Sequence, residues 1–131
     1  MFLTKERDYA VRAVRALADM EKKSVKEICK LEHMPIDFTY KILKKLEQGG
    51  IVKPSRGSRG GYSLATEPKN ISLLDILFAI DEKMFINECL KPGAICKNHN
   101  AEKRCLVHEA LEQLQGDVIN VLKTKTMDQL I

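Results

Sequence analysis

Long apolar runs are missing from this sequence, and aromatic residues are scarce at 5%. A membrane-spanning helix needs roughly 20 consecutive, mostly apolar residues, and no stretch here approaches that length. The first nine residues, Met1 to Tyr9, hold neither an apolar h-region nor a small-residue cleavage site. No secretory leader is therefore expected, and the expected location is the cytoplasm. No nucleophile–base pair stands out, which leaves an enzyme as the weakest reading. Cysteine is sparse as well, four in 131 residues, and three of the four fall in one segment. In a cytosolic chain such clustering points to metal or redox chemistry, not to a disulfide scaffold.

That segment runs from Cys89 to His108 and also contains Cys96, Cys105 and His99. Pro92, Gly93, Asn98 and Asn100 lie between them, so most of it is expected to be irregular. Cys105 and His108 open an amphipathic pattern and sit at i and i+3, on one face of a helix's first turn. Three thiolates and an imidazole are soft donors. They suit zinc or an iron–sulfur cluster far better than magnesium or calcium. Cys29 lies outside the segment and reads as a small core residue.

At 131 residues the chain accommodates one compact domain, or a small domain plus a dimerisation arm. Charge is unevenly spread. Residues 1–66 carry 14 Lys/Arg against 8 Asp/Glu, whereas residues 67–131 carry 8 against 10. A basic front half points to a polyanionic partner for that half.

Within it, Ala10, Ala13, Val14 and Leu17 give the apolar spacing of a first helix over about residues 4–19, with Thr4 as N-cap. Ser24 and Glu27 form a capping-box pattern that starts a short second helix through about Leu31. Pro35 stands at the first position of a third helix, which Gly49-Gly50 stops. Phe38, Ile42, Leu43 and Leu46 are expected inward, and Asp37, Thr39, Tyr40, Lys41, Lys44 and Lys45 outward. Two short helices joined by a tight turn form a helix-turn-helix, and the outward residues of the second are base-reading and phosphate-holding types. An ordinary solvated helix face would look similar, so the following stretch carries the weight. Ile51-Val52-Lys53 and Tyr62-Ser63-Leu64 read as two strands around a loop from Arg56 to Gly61. A hairpin directly after a helix-turn-helix is a wing, whose tip brings Arg56, Ser58, Arg59 and Gly60 to phosphates or a minor groove. These glycines lie inside a hairpin with no Gly-Lys-Ser/Thr after them, which excludes a nucleotide-binding loop.

Ser72 and Asp75 cap a further helix to about Ile80, with Ile71 and Ile76 as a staple. From Val107 onward, Leu111, Leu114, Val118 and Val121 recur at 4-3-4-3 spacing, a narrow seam expected to pack against a second copy of the chain. Packing back on the same chain is the alternative. Thr126 to Gln129 reads as a last capping box on a terminal turn docked on the dimer. The expected fold is thus mainly α with a small β-hairpin wing: a winged helix-turn-helix plus a long dimerisation helix. Its expected division is residues 1–81 for DNA binding, 82–104 for the cysteine loop and 105–131 for the dimer helix and final turn.

Together these motifs resemble the bacterial winged-helix iron–sulfur and redox transcription regulators that include IscR and NsrR. The resemblance rests on Leu3-Thr4 with Asp8-Tyr9-Ala10-Val11-Arg12, and on Lys41 to Leu46 with Gly50-Ile51-Val52. It also rests on Arg56-Gly57 with Gly60-Gly61-Tyr62, on Ile71-Ser72 with Ile76, Ile80 and Asp81, and on Cys105 with His108. It covers nearly the whole chain. It implies a homodimer on a partly palindromic double-stranded operator, with an iron–sulfur cluster, 2Fe–2S or 4Fe–4S, that senses cluster status, nitric oxide or redox state. Cys89, Cys96 and Cys105 match the cluster cysteines. His108 matches the fourth ligand of IscR-like members, and Asp8 the carboxylate that NsrR-like members contribute from the partner subunit; both stay open. Two departures stand out: the Cys-x6-Cys-x8-Cys gaps are longer than the family's usual ones, and Ser58-Arg59 replaces a common Pro-Gly in the wing. The rival readings are a structural zinc site on the same three cysteines and His108, and a cluster-free thiol switch.

Overall fold

The structure is a computed structural model, and it describes residues 3–131. The first two residues, which the leader reading includes, lie outside the described residues. The helices are α1 (Lys5–Ala16), α2 (Val25–Glu32), α3 (Ile36–Gln48), α4 (Leu73–Ile80) and α5 (Leu106–Thr124), and the strands are β1 (Val52–Ser55) and β2 (Gly61–Leu64). Local chemistry sets most of the boundaries. The Thr4 hydroxyl accepts from the Arg7 amide, and the Ser24 hydroxyl from the Glu27 amide, so each satisfies an amide that helix geometry leaves without a carbonyl. At α4 the box is complete. Ser72 Oγ accepts from Asp75 N at 3.1 Å, and Asp75 Oδ2 accepts from Ser72 N at 2.9 Å. Pro35 is the N-cap of α3, one position before the place its sequence context suggested.

The core forms where α1, α3 and α4 meet. Ala10, Ala13, Val14 and Leu17 of α1, with Ile42, Leu43 and Leu46 of α3 and Ile76 and Ile80 of α4, are its buried residues. The small Ala10 and Ala13 side chains let the neighbouring helices approach closely. Two expectations for α3 are corrected here. Thr39 does not face outward: it is fully buried, and its hydroxyl donates to the Pro35 carbonyl at 2.8 Å. Phe38 is not a core residue; it is 37% exposed and meets Tyr9 edge-on with ring centroids 5.5 Å apart. The reason is geometric. Positions 39, 42, 43 and 46 are one helical face, and 38 lies about a quarter turn off its centre.

The hairpin pairs Val52 with Leu64 through Ser55 with Gly61, antiparallel. It is anchored beyond its own two strands. Lys23 and Tyr62 exchange backbone hydrogen bonds of 2.9 and 2.8 Å, which tie β2 to the residue before the α2 cap. Gly61 makes that approach feasible, since a Cβ there would stand 2.4 Å from the Lys23 carbonyl oxygen. Gly57, at the tip, has φ of 106°, a conformation that side chains with a Cβ rarely adopt.

Beyond α4 the chain turns through the cysteine segment and returns along α5. The buried Arg7 side chain of α1 donates to the carbonyls of Asp81 (2.6 Å) and Lys83 (3.1 Å), fixing the exit from α4. Gln115 of α5 accepts from the Ile86 amide at 3.0 Å. The final turn, Met127–Gln129, is a short 3-10 turn without the expected Thr126 cap bond. It docks on its own chain. Thr126 bridges to Ser72, the Met127 amide donates to Ile71 O at 2.9 Å, and the Met127 side chain is fully buried. No described helix is long and apolar enough to cross a membrane.

Candidate functional site

Two regions hold the functional side chains that the sequence singles out. The first combines the outer face of α3 with the wing. Pro35, Asp37, Tyr40, Lys41 and Lys44 are exposed along one side of α3, whereas Thr39 is withdrawn into the core. Arg56, Ser58, Arg59 and Gly60 are exposed at the wing tip. Between them runs a cleft of about 370 Å³, lined by Ser24, Lys26, Tyr40, Pro54, Gly60 and Tyr62. Burial in this cleft wall raises the Tyr62 hydroxyl above its ordinary value, with smaller contributions from Glu47 and Tyr40. The cations on this face differ in their commitments. Lys45 pairs with Glu6 at 2.7 Å, and Lys44 reaches Glu47 only at 3.9 Å. Lys41, Arg56 and Arg59 make no ion pair among the described residues, which leaves three full charges for an incoming anion. Cations on an exposed helix face, a flanking hairpin and a cleft between them make a surface able to hold a nucleic-acid backbone. Lys23 escaped the sequence reading. Its contribution is a backbone anchor for the wing, and no local motif marks that.

The second region is the cysteine segment with the start of α5. Cys105 is the N-cap of α5, and its Sγ accepts from the His108 amide at 3.4 Å. The Cys105 amide donates to His99 Nδ1 at 3.4 Å, and the His99 ring stacks on His108 at 3.9 Å with 14° between planes. His108 Nδ1 is buried without a hydrogen-bond partner. Cys96 bridges to His99 across a tight turn. Cys89 and Cys96 both line a groove of about 530 Å³ within the loop, and Cys89 Sγ accepts from the Asn87 amide group at 3.2 Å. At the rim, Arg104 holds the Glu109 carboxylate below its ordinary value, with smaller contributions from His99 and His108. All four cysteines are free thiols. The segment thus gathers Cys96, Cys105 and His108 around His99, yet among the described residues no three His, Cys, Asp or Glu groups converge closely enough to hold an ion. Asp8 sits on α1, half exposed and paired with Arg12 at 2.9 Å. His99 was not assigned a role from the sequence, although it occupies the same place in a Cys-x2-His unit as His108 does.

Comparison with known proteins places these features in a family. Residues 3–131 match the family described as Rrf2, iron-dependent transcriptional regulator. An HTH-type transcriptional regulator from Aquifex aeolicus is 33% identical over 125 residues, covering 94% of this chain and 86% of that protein. Among solved structures, CymR, the global cysteine regulator of B. subtilis, superposes with a TM-score of 0.79 at 21% identity, covering 99% of this chain and 95% of that one. IscR of T. potens superposes with a TM-score of 0.76 at 22% identity, covering 99% and 85%. At that identity the two structures speak for the winged-helix fold alone. The family match spans all the described residues, and on that ground this chain belongs to the Rrf2 family of DNA-binding transcriptional regulators and is not an enzyme.

Proposed function

We propose that the protein is a homodimeric, cytoplasmic regulator whose operator binding responds to an iron–sulfur cluster held by Cys89, Cys96, Cys105 and one further ligand, His108 or Asp8. The observation that supports it best is the buried, unpartnered Nδ1 of His108, a residue whose backbone amide donates to the Cys105 thiol. A buried polar nitrogen without a partner is costly, and a metal centre would satisfy it. Three thiolates match the cluster in kind, and the family description names iron dependence. When bound, the cluster would supply a redox- and nitric-oxide-reactive centre. The chain's own residues would hold it between α4 and the start of α5. A second copy is the fitting partner for α5, where Val107, Leu114 and Val121 are each at least half exposed along one stripe. On a palindromic operator the two recognition helices would then enter major grooves about one helical turn, roughly 34 Å, apart.

The decisive measurement is an absorption spectrum with iron and sulfide analysis on protein purified without oxygen. Visible charge-transfer bands with matched iron and sulfide are expected, lost in a Cys105→Ser variant. A colourless, metal-free preparation that still binds operator would sink the cluster reading and leave the thiol switch.

Operator binding itself is expected to weaken steeply with salt. Arg56→Ala with Arg59→Ala is expected to lower the salt slope by about 2 per subunit, about 4 for the dimer, because each phosphate contact contributes roughly 0.9. An unchanged slope in an electrophoretic titration would show that the wing is not in contact.

A further inference from the structure

The outward line of α3 runs opposite its buried residues. Thr39, Ile42, Leu43 and Leu46 form the core face, and Asp37, Lys41, Lys44 and Gln48 follow one another on the far side, all exposed. Two lysines and a glutamine suit a surface that meets phosphates. A carboxylate does not. Elsewhere in the basic half, carboxylates are neutralised within the chain: Glu6 pairs with Lys45, Asp8 with Arg12, Asp19 with Lys23 and Glu32 with Arg15. Among the described residues the Asp37 side chain makes no hydrogen bond and no ion pair. Its place in the first turn of α3 accounts for part of this. The N-cap, Pro35, offers no side-chain acceptor, and a carboxylate in that turn complements the positive helix end. Position 36 would serve the helix end as well. Position 37 is the one that points directly away from the core, at the end of a recognition helix that reaches base edges.

We propose that Asp37 is a specificity-determining residue of α3, accepting a hydrogen bond from the exocyclic amine of a cytosine in the major groove of each half-site. The proposal rests on reading α3 as the helix that enters the groove, and it does not depend on a cluster. An ionised carboxylate can only accept hydrogen bonds. Phosphate oxygens, the guanine N7 and O6 and the thymine O4 are acceptors too, so each of them repels it. Donors in the major groove are the amines of cytosine and adenine. Adenine sets its N7 acceptor beside the amine, whereas the cytosine edge presents the amine alone, which makes cytosine the better match. Asp37 therefore selects one base and turns others away. Lys41 and Lys44, further along the same line, offset its charge and hold the backbone on either side of the groove.

The test selects from a library of randomised double-stranded DNA with the full chain, purified without oxygen and assayed before and after chelation, alongside Asp37→Ala and Asp37→Asn. The parent is expected to enrich a motif with a cytosine in each half-site whose replacement weakens binding about tenfold. Asp37→Ala is expected to bind that motif and its cytosine-replaced form equally well. Its affinity for unselected DNA is expected to be no lower than the parent's, because a negative charge has left the phosphate-facing surface. Asp37→Asn is expected to move the preference at that position from cytosine to adenine, whose N6 and N7 a carboxamide takes together. Both variants are expected to melt close to the parent. A cytosine preference that survives in both variants overturns the role of Asp37, as does a parent motif without that cytosine. A loss of affinity that is equal for all sequences overturns it too, and leaves Asp37 as a helix-end charge. A parent that enriches no motif at all overturns operator recognition itself, and this assignment with it.

Discussion

Gly61→Ala is expected to detach the wing and to weaken operator binding by roughly thirtyfold for each wing of the proposed dimer. A methyl group at this position would stand 2.4 Å from the Lys23 carbonyl oxygen and 2.8 Å from its carbon. Both neighbours are backbone atoms, so no side-chain rotation relieves the overlap. The strand must move away, and the two hydrogen bonds between Lys23 and Tyr62 go with it. At about 1 kcal/mol for each such bond, plus the strain of the displaced hairpin, the stability loss is expected to be about 2–3 kcal/mol. The binding loss has a separate origin. Arg56 and Arg59 are carried by the loop between β1 and β2, and on the proposed interface a displaced hairpin would take both away from the phosphates. With each contact scaling as the salt concentration to the power of about −0.9, losing two per subunit at ~0.15 M salt corresponds to about thirtyfold for each wing. Calorimetry and an operator titration at two salt concentrations check both parts. Unchanged affinity would mean that the wing does not touch DNA.

Met127→Ala is expected to lower stability by about 2–5 kcal/mol, the range for truncating a fully buried side chain of this size. The effect should exceed that of any change on the exposed stripe of α5, since Met127 plugs the core beside the start of α4. Its amide bond to Ile71 O and the Leu73–Lys125 bond are held by the same docking. Loosening the turn would therefore free the end of α5 as well as leave a cavity. Met127→Leu preserves most of the volume and is expected to cost less than about 1.5 kcal/mol. Urea denaturation of the two variants compares them directly. Equal small losses would show that the terminal turn contributes little to folding.

Much of this architecture was legible in local chemistry. The caps at Thr4, Ser24 and Ser72 satisfy amides a few residues away, so their patterns translate directly into helix starts. The alternation around Arg56 to Gly61 likewise marked a hairpin whose register depends on its own short loop. Thr39 and Phe38 stand opposite to expectation, because the Thr39 hydroxyl is satisfied inside the helix by the Pro35 carbonyl and needs no water. Periodicity alone would have corrected it, since 39, 42, 43 and 46 share one face. The cysteine segment was legible in donor type but not in grouping. Which thiol stands beside which imidazole depends on how an irregular loop folds over α5, and no periodic signal encodes that.

By itself the sequence determined the order of elements, the helix caps at Thr4, Ser24 and Ser72, the winged helix-turn-helix and the family, because each follows from contacts between residues near in the chain or from recurring motifs; the end of α1 at Ala16, short of the expected residue 19, was not among them. Only the tertiary structure decided that Lys23 anchors the wing, that Met127 returns to the core, that Arg7 fixes the exit from α4 and that His99 joins Cys96, Cys105 and His108. The physical reason is sequence separation. The Lys23–Tyr62, Met127–Ile71 and Arg7–Asp81 pairings are stabilised only once the core has formed, and the side chains involved carry no local mark of the partner they will meet.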